Sequence, residues 1–143
     1  MNTNVLLITF LLGIAPSPLE SAITVLTPPD GEKAYQIAAQ EFANFWQKVT
    51  DQPLKVLVWQ GKKEDRLPEG DLVLIGSDAV HPLVHRLILD GAIESLGIAY
   101  GTDAYRIVGV RGQDRRYLVL AGGSGRSTLY AVYDFFRRQA GGE

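Results

Sequence analysis

Residues 118–130 read LVLAGGSGRSTLY: an apolar run, a glycine-rich turn, then the start of a helical pattern. Backbone N–H groups in such a turn, together with the positive end of a helix, are a common way of holding phosphate. The specific phosphate signatures do not fit. A Walker loop needs Gly where Leu120 stands and Lys where Arg126 stands, and the dinucleotide pattern needs Gly where Thr128 stands. Two readings stay open. The segment from Gly122 to Ser127 is a phosphate or nucleotide site, or it is a tight turn in which Ser124 caps the next helix. Ser124 and Arg126 are the two candidate ligand-binding side chains at this turn.

Other residues with chemical potential are more scattered. His81 and His85 have the spacing that points two imidazoles at a metal from one helix face. Pro82 between them marks a helix start, which makes His81 a cap, and no HExxH pattern or cysteine joins them. No metal site and no cofactor is expected. Glycoside hydrolysis needs two carboxyl groups held across a cleft. Glu64, Asp65, Glu69, Asp71, Asp78 and Asp103 fall at loops or strand starts and read as solvated acids and caps, as does the helical Asp134. A Ser-His-Asp triad lacks its G-x-S-x-G elbow. No catalytic residue is assigned.

These residues must be positioned by a small set of elements. Residues 22–26 (AITVL) are β-rich and stop at TPPDG. A helix is predicted over about 32–50. Ala34, Ile37, Ala38, Phe42, Phe45, Trp46 and Val49 make its apolar face, Asp30 caps it and Asp51-Gln52-Pro53 ends it. Strands follow at 54–59 and 71–76, the second apolar on both faces and so central in its sheet. A short helix is predicted over 81–90, and 92–102 shows no pattern. Strands at 105–111 and 117–121 flank a short hairpin loop. The last helix, about 126–139, carries an apolar face of Leu129, Val132, Tyr133 and Phe136. Asp134 sits at pairing distance from Arg137 and Arg138. The expected fold is an α/β (α+β) two-layer sandwich, a mixed sheet of about five strands packed with two main helices.

Length and composition agree with one globular domain. There are 143 residues, 46% apolar and 21% charged, with a net charge of −2. No basic excess marks a nucleic-acid binder, so no nucleic-acid partner is expected. The absence of cysteine excludes disulfides, zinc fingers and thiol nucleophiles. Residues 5–15 (VLLITFLLGIA) are an uncharged apolar run, too short for a bilayer span but right for the core of a signal peptide. The n-region has no Lys or Arg, and Glu20 spoils the site of a cut after Ala22, so a buried first element is the competing reading. The expected division is a signal peptide over 1–21, a single domain over 22–143, secretion or a periplasmic location, and no integral membrane span.

Three stretches together resemble a known domain. They are ITVLTPPDGEKAYQIAAQEFANFWQKVTDQPLKV, DLVLIGSDAVHPLV and DAYRIVGVRGQDRRYLVLAGGSGRSTLYAVYDFFRR. They are similar to the small α/β domain that precedes the catalytic barrel in β-N-acetylhexosaminidases and α-glucuronidases. The marks are Ile75-Gly76, Tyr105-Arg106-Ile107, and the block from Leu118 to Phe135 with Arg126. The resemblance covers about residues 22–140. It implies a non-catalytic accessory domain of a secreted glycoside hydrolase, with the catalytic groups on a following (β/α)8 barrel. The implied partner is that barrel, in the same full-length protein. Carbohydrate is a possible ligand, with Ser124 and Arg126 the side chains nearest to lending a contact.

Overall fold

The computed structural model describes residues 22–29, 33–62, 66–112 and 114–139. The proposed signal segment and Asp30 lie outside them. Five strands form one sheet: β1 (Ile23–Thr27), β2 (Lys55–Val58), β3 (Asp71–Ile75), β4 (Tyr105–Arg111) and β5 (Arg116–Gly122). Three helices join them: α1 (Lys33–Thr50), α2 (Pro82–Leu89) and α3 (Gly125–Gln139). The strand order is β2-β1-β3-β5-β4. The first four are mutually parallel, and β4 pairs antiparallel with β5 through the hairpin. The chain is thus an α/β two-layer sandwich with a mixed five-stranded sheet. Among the described residues no helix is long and apolar enough to cross a membrane.

The central place of β3 follows from its composition. All five of its residues are buried, as a strand with helices or loops on both faces must be. On the first face, Val25, Val73, Ile75, Leu118 and Leu120 meet α1 and α3. Phe42 sits at the middle of that layer, with Trp46, Phe135 and Phe136 around it at centroid separations of 4.9–6.0 Å. On the second face, Leu26, Leu72, Leu74, Val119 and Ala121 are covered by Leu83, Val84 and Leu87 of α2, by Ile93 and Leu96 beyond it, and by Trp59. The unassigned stretch after α2 is therefore a lid on the second face rather than a separate element. The Trp59 indole Nε1 is buried with no hydrogen-bond partner.

The helix faces are rotated from those the spacing suggests. Ile37 is 43% exposed, while Tyr35, Ala39 and Ala43 are buried instead. On α3 the sheet-facing stripe is Ala131, Val132, Phe135 and Phe136, and Tyr133 is 41% exposed. Tyr133 lies at the rim, edge-on to Phe45 and 3.5 Å from Glu41. The physical reason is that the small residues of α1 and α3 let the two helices approach each other. The large side chains at the flanks of each stripe need not point at the sheet. Helix α1 ends where expected: Asp51 takes φ of 63° and its N–H reaches the Gln47 carbonyl.

Asp71 is not a solvated acid. It is buried at the start of β3 and receives the Arg116 backbone N–H at 2.9 Å, Nε at 3.2 Å and Nη2 at 2.8 Å. This pair ties the beginnings of the neighbouring strands β3 and β5 together.

Candidate functional site

A parallel sheet of this kind takes ligands outside the carboxyl ends of its strands, where adjacent connections leave to opposite faces. Here α1 follows β1 onto the first face and α2 follows β3 onto the second. The switch point lies between β1 and β3, and the chain fills it. The His81 side chain is fully buried there. Its Nδ1 accepts the Leu83 N–H at 3.3 Å, and its Nε2 donates to the Leu26 carbonyl at 3.1 Å. That hydrogen-bond pair requires the neutral Nε2–H tautomer. Burial, partly opposed by the Leu26 hydrogen bond, lowers the His81 pKa to about 4. His81 is the N-cap of α2, with Pro82 at the first helical position. His85, one turn on, is exposed, so the two rings do not converge. Among the described residues no three metal-ligating side chains come together.

The second ligand position would be the turn between β5 and α3, where the sequence places Ser124 and Arg126. Its local structure is a reciprocal cap. The Ser124 hydroxyl accepts the Ser127 N–H at 3.1 Å, and the Ser127 hydroxyl accepts the Ser124 N–H at 2.9 Å. This is the geometry of a capping box with serine in the place usually held by Glu or Gln. The Thr128 N–H and hydroxyl both donate to the Ser124 carbonyl. Residues 99–104 lie across the turn. The Gly123 N–H donates to the Ala104 carbonyl, and Ser127 Oγ reaches the Thr102 carbonyl at 3.2 Å. The two glycines exist for this closure. A Cβ on Gly122 would run into the Thr128 amide and the Ser127 hydroxyl, and one on Gly123 into Ala99 and Thr102. Ser124→Ala is expected to cost about 1 kcal/mol, read from urea unfolding, and an unchanged midpoint would show the cap to be dispensable.

Arg126 points outward. Its Nη2 bonds both Asp103 carboxylate oxygens, at 3.0 and 2.9 Å, on the same crossing segment. The Asp103 hydrogen bond raises its pKa further, and Tyr130 is near enough to add to that. Tyr100 on the crossing segment is 72% exposed. The structure thus brings Ser124 and Arg126 to one turn but gives them different duties. Ser124 faces the helix backbone, and Arg126 clamps the segment above it at the surface. Sequence reasoning missed Asp103 as the partner of Arg126, because nothing local links residues this far apart.

A third polar cluster lies on the first face. Asp134 is buried, holds Arg137 at 2.7 Å and Arg138 at 2.9 Å, and accepts the Tyr105 hydroxyl at 3.1 Å. Burial alone would push this carboxyl up, but hydrogen bonds from Arg137, Tyr105 and Arg138 hold it below its ordinary value. The two arginine pairings were visible in the helical spacing, and the Tyr105 contact from β4 was not. No protein-family model matches the chain, and no curated protein matches it.

Proposed function

We propose that this chain is the non-catalytic accessory domain of a secreted glycoside hydrolase, packing against a catalytic barrel that follows it in the same protein. The observation that favours this reading over a phosphate site is the self-closure of the glycine turn. The N–H groups of Gly123, Ser124, Ser127 and Thr128 are all engaged by the chain itself, so they are not offered to an anion. The carbohydrate context comes from the resemblance of residues 22–140 alone. The surface keeps Ile37, Tyr130 and Tyr133 well exposed on the helix layer, the kind of apolar area that a neighbouring domain covers. In this reading residues 1–21 direct export, and N-terminal sequencing of the secreted protein starts near Ala22.

The test is a paired titration and assay. The purified chain is expected to hydrolyse no aryl glycoside, and ATP, sugar phosphates and inorganic phosphate are expected to leave its melting temperature unchanged. A ligand bound at the turn would instead raise it by mass action. A dose-dependent rise abolished by Arg126→Ala would establish the phosphate-binding reading in place of this one. The reading frame beyond Glu143 supplies the other arm. Several hundred residues of strand–helix repeats are expected, and a stop codon there overturns the barrel partner.

A further inference from the structure

We infer that His81 is an acid-sensitive latch: protonating its ring releases α2 and the lid after it from the second face, while the first face stays packed. The argument begins with the two hydrogen bonds. The ring spans β1 and α2, accepting from Leu83 through Nδ1 and donating to Leu26 through Nε2. An imidazolium carries a proton on both nitrogens. Its Nδ1–H would face the Leu83 N–H, two donors in contact, inside a site with no exposure. The cap is lost, and a charge is left for which the described residues hold no counter-ion. The charged and titratable groups of the described elements around it do not supply one. Strand β1 has no charged residue, and β3 has only Asp71, at its far end and committed to Arg116. Asp78 on the β3–α2 turn, His85 and Arg86 on α2, and Lys62 after β2 are all exposed.

The layer that the latch holds is the weaker of the two. Helix α2 has eight residues, below the length at which a helix persists by itself. It reaches the sheet through Leu83, Val84 and Leu87. Helices α1 and α3, by contrast, share the aromatic cluster around Phe42. The second face also contains the unpartnered Trp59 Nε1, a donor that gains water when the lid lifts. Opening by a single proton is expected to become about tenfold more favourable per pH unit between the ordinary histidine value of 6.5 and about 4. The sign follows because the opened state binds the proton more tightly than the closed one. Asp134 titrates below its ordinary range and belongs to the other layer.

The two tryptophans make the layers separately visible, since Trp59 belongs to the second face and Trp46 to the first. In the full chain carrying Trp46→Phe, the Trp59 emission is expected to shift to the red as pH falls from 7 to 4. In the Trp59→Phe chain, the Trp46 emission is expected to stay unchanged over the same range. His81→Asn, whose side-chain oxygen still caps Leu83, should remove the Trp59 response. A concerted shift of both tryptophans, or a Trp59 response that survives His81→Asn, overturns the latch. Should any variant fail to fold, 15N spectra of the unaltered chain decide. Loss of the native Leu83, Val84 and Leu87 amide signals must follow the His81 ring titration, with Phe42 and Val132 still native. A ring that titrates near 6.5 with those amides intact overturns the proposal.

Discussion

Phe42→Ala is expected to lower the unfolding free energy by about 3–5 kcal/mol, measured by urea denaturation. Phe42 has no exposed surface and touches rings from both helices: Trp46 on its own, Phe135 and Phe136 on α3. Truncation removes the transfer energy of a buried ring. It also leaves a cavity that its neighbours cannot fill, because they are held against β1, β3 and β5. Phe136→Ala belongs to the same range but near its lower end, since Phe136 lies at the edge of the cluster beside the partly buried Phe45. A loss below about 1 kcal/mol for Phe42 would mean that the helix layer collapses around the gap, and the aromatic cluster would then not be the centre of the core.

Asp71→Ala is expected to cost about 3–5 kcal/mol for a different reason. The carboxylate accepts three hydrogen bonds from Arg116, one from the backbone and two from the guanidinium. The two side chains are only 8% and 13% exposed. Removing Asp71 leaves a nearly buried guanidinium with no anion. The informative companion is the double variant Asp71→Leu with Arg116→Leu. It removes both charges together and should recover much of the loss. The Arg116 backbone N–H still lacks its acceptor in that variant, so recovery is not complete. A double variant as unstable as the single one would locate the effect in strand geometry rather than in the stranded charge.

These two residues also mark the division between what local sequence reveals and what it does not. The Phe42 helix was legible because an amphipathic pattern repeats every three to four residues, and such a pattern survives without knowledge of the partner. Strand β3 was legible as central because the consecutive apolar residues Leu72 to Ile75 leave no polar face. The role of Asp71 was not. Its partner stands 45 residues away on a neighbouring strand, and only the parallel register that sets Leu72 opposite Tyr117 brings the two together. The same holds at the glycine turn. The Ser124 cap is a local event, encoded by the serine and the helical pattern after it. The closure over that turn by residues 99–104 depends on a segment with no periodicity of its own. The α3 face was misread at Tyr133, which looks apolar in a pattern but stands at the rim, edge-on to Phe45 and with its hydroxyl beside Glu41.

The position of β1 in the sheet bears on how the chain reaches this fold. It is the first strand among the described residues, yet it has a neighbour on each side, Lys55–Val58 on one and Asp71–Ile75 on the other. Both partners are synthesised long after it. Until they arrive, its buried residues have nothing to pair with, and closing those loops costs entropy before any contact repays it. The β4–β5 hairpin is the opposite case, with strands joined by a short turn and seven paired positions. Its contacts are local, so it is expected to form early and to offer β5 as the template on which β3 aligns. Assembly is therefore expected to start at this hairpin rather than at β1. The edge strand β2 pairs with β1 alone, so β1 must dock on β3 before β2 can join, and slow refolding is expected to be traceable to substitutions in β1 and β3 rather than in the hairpin.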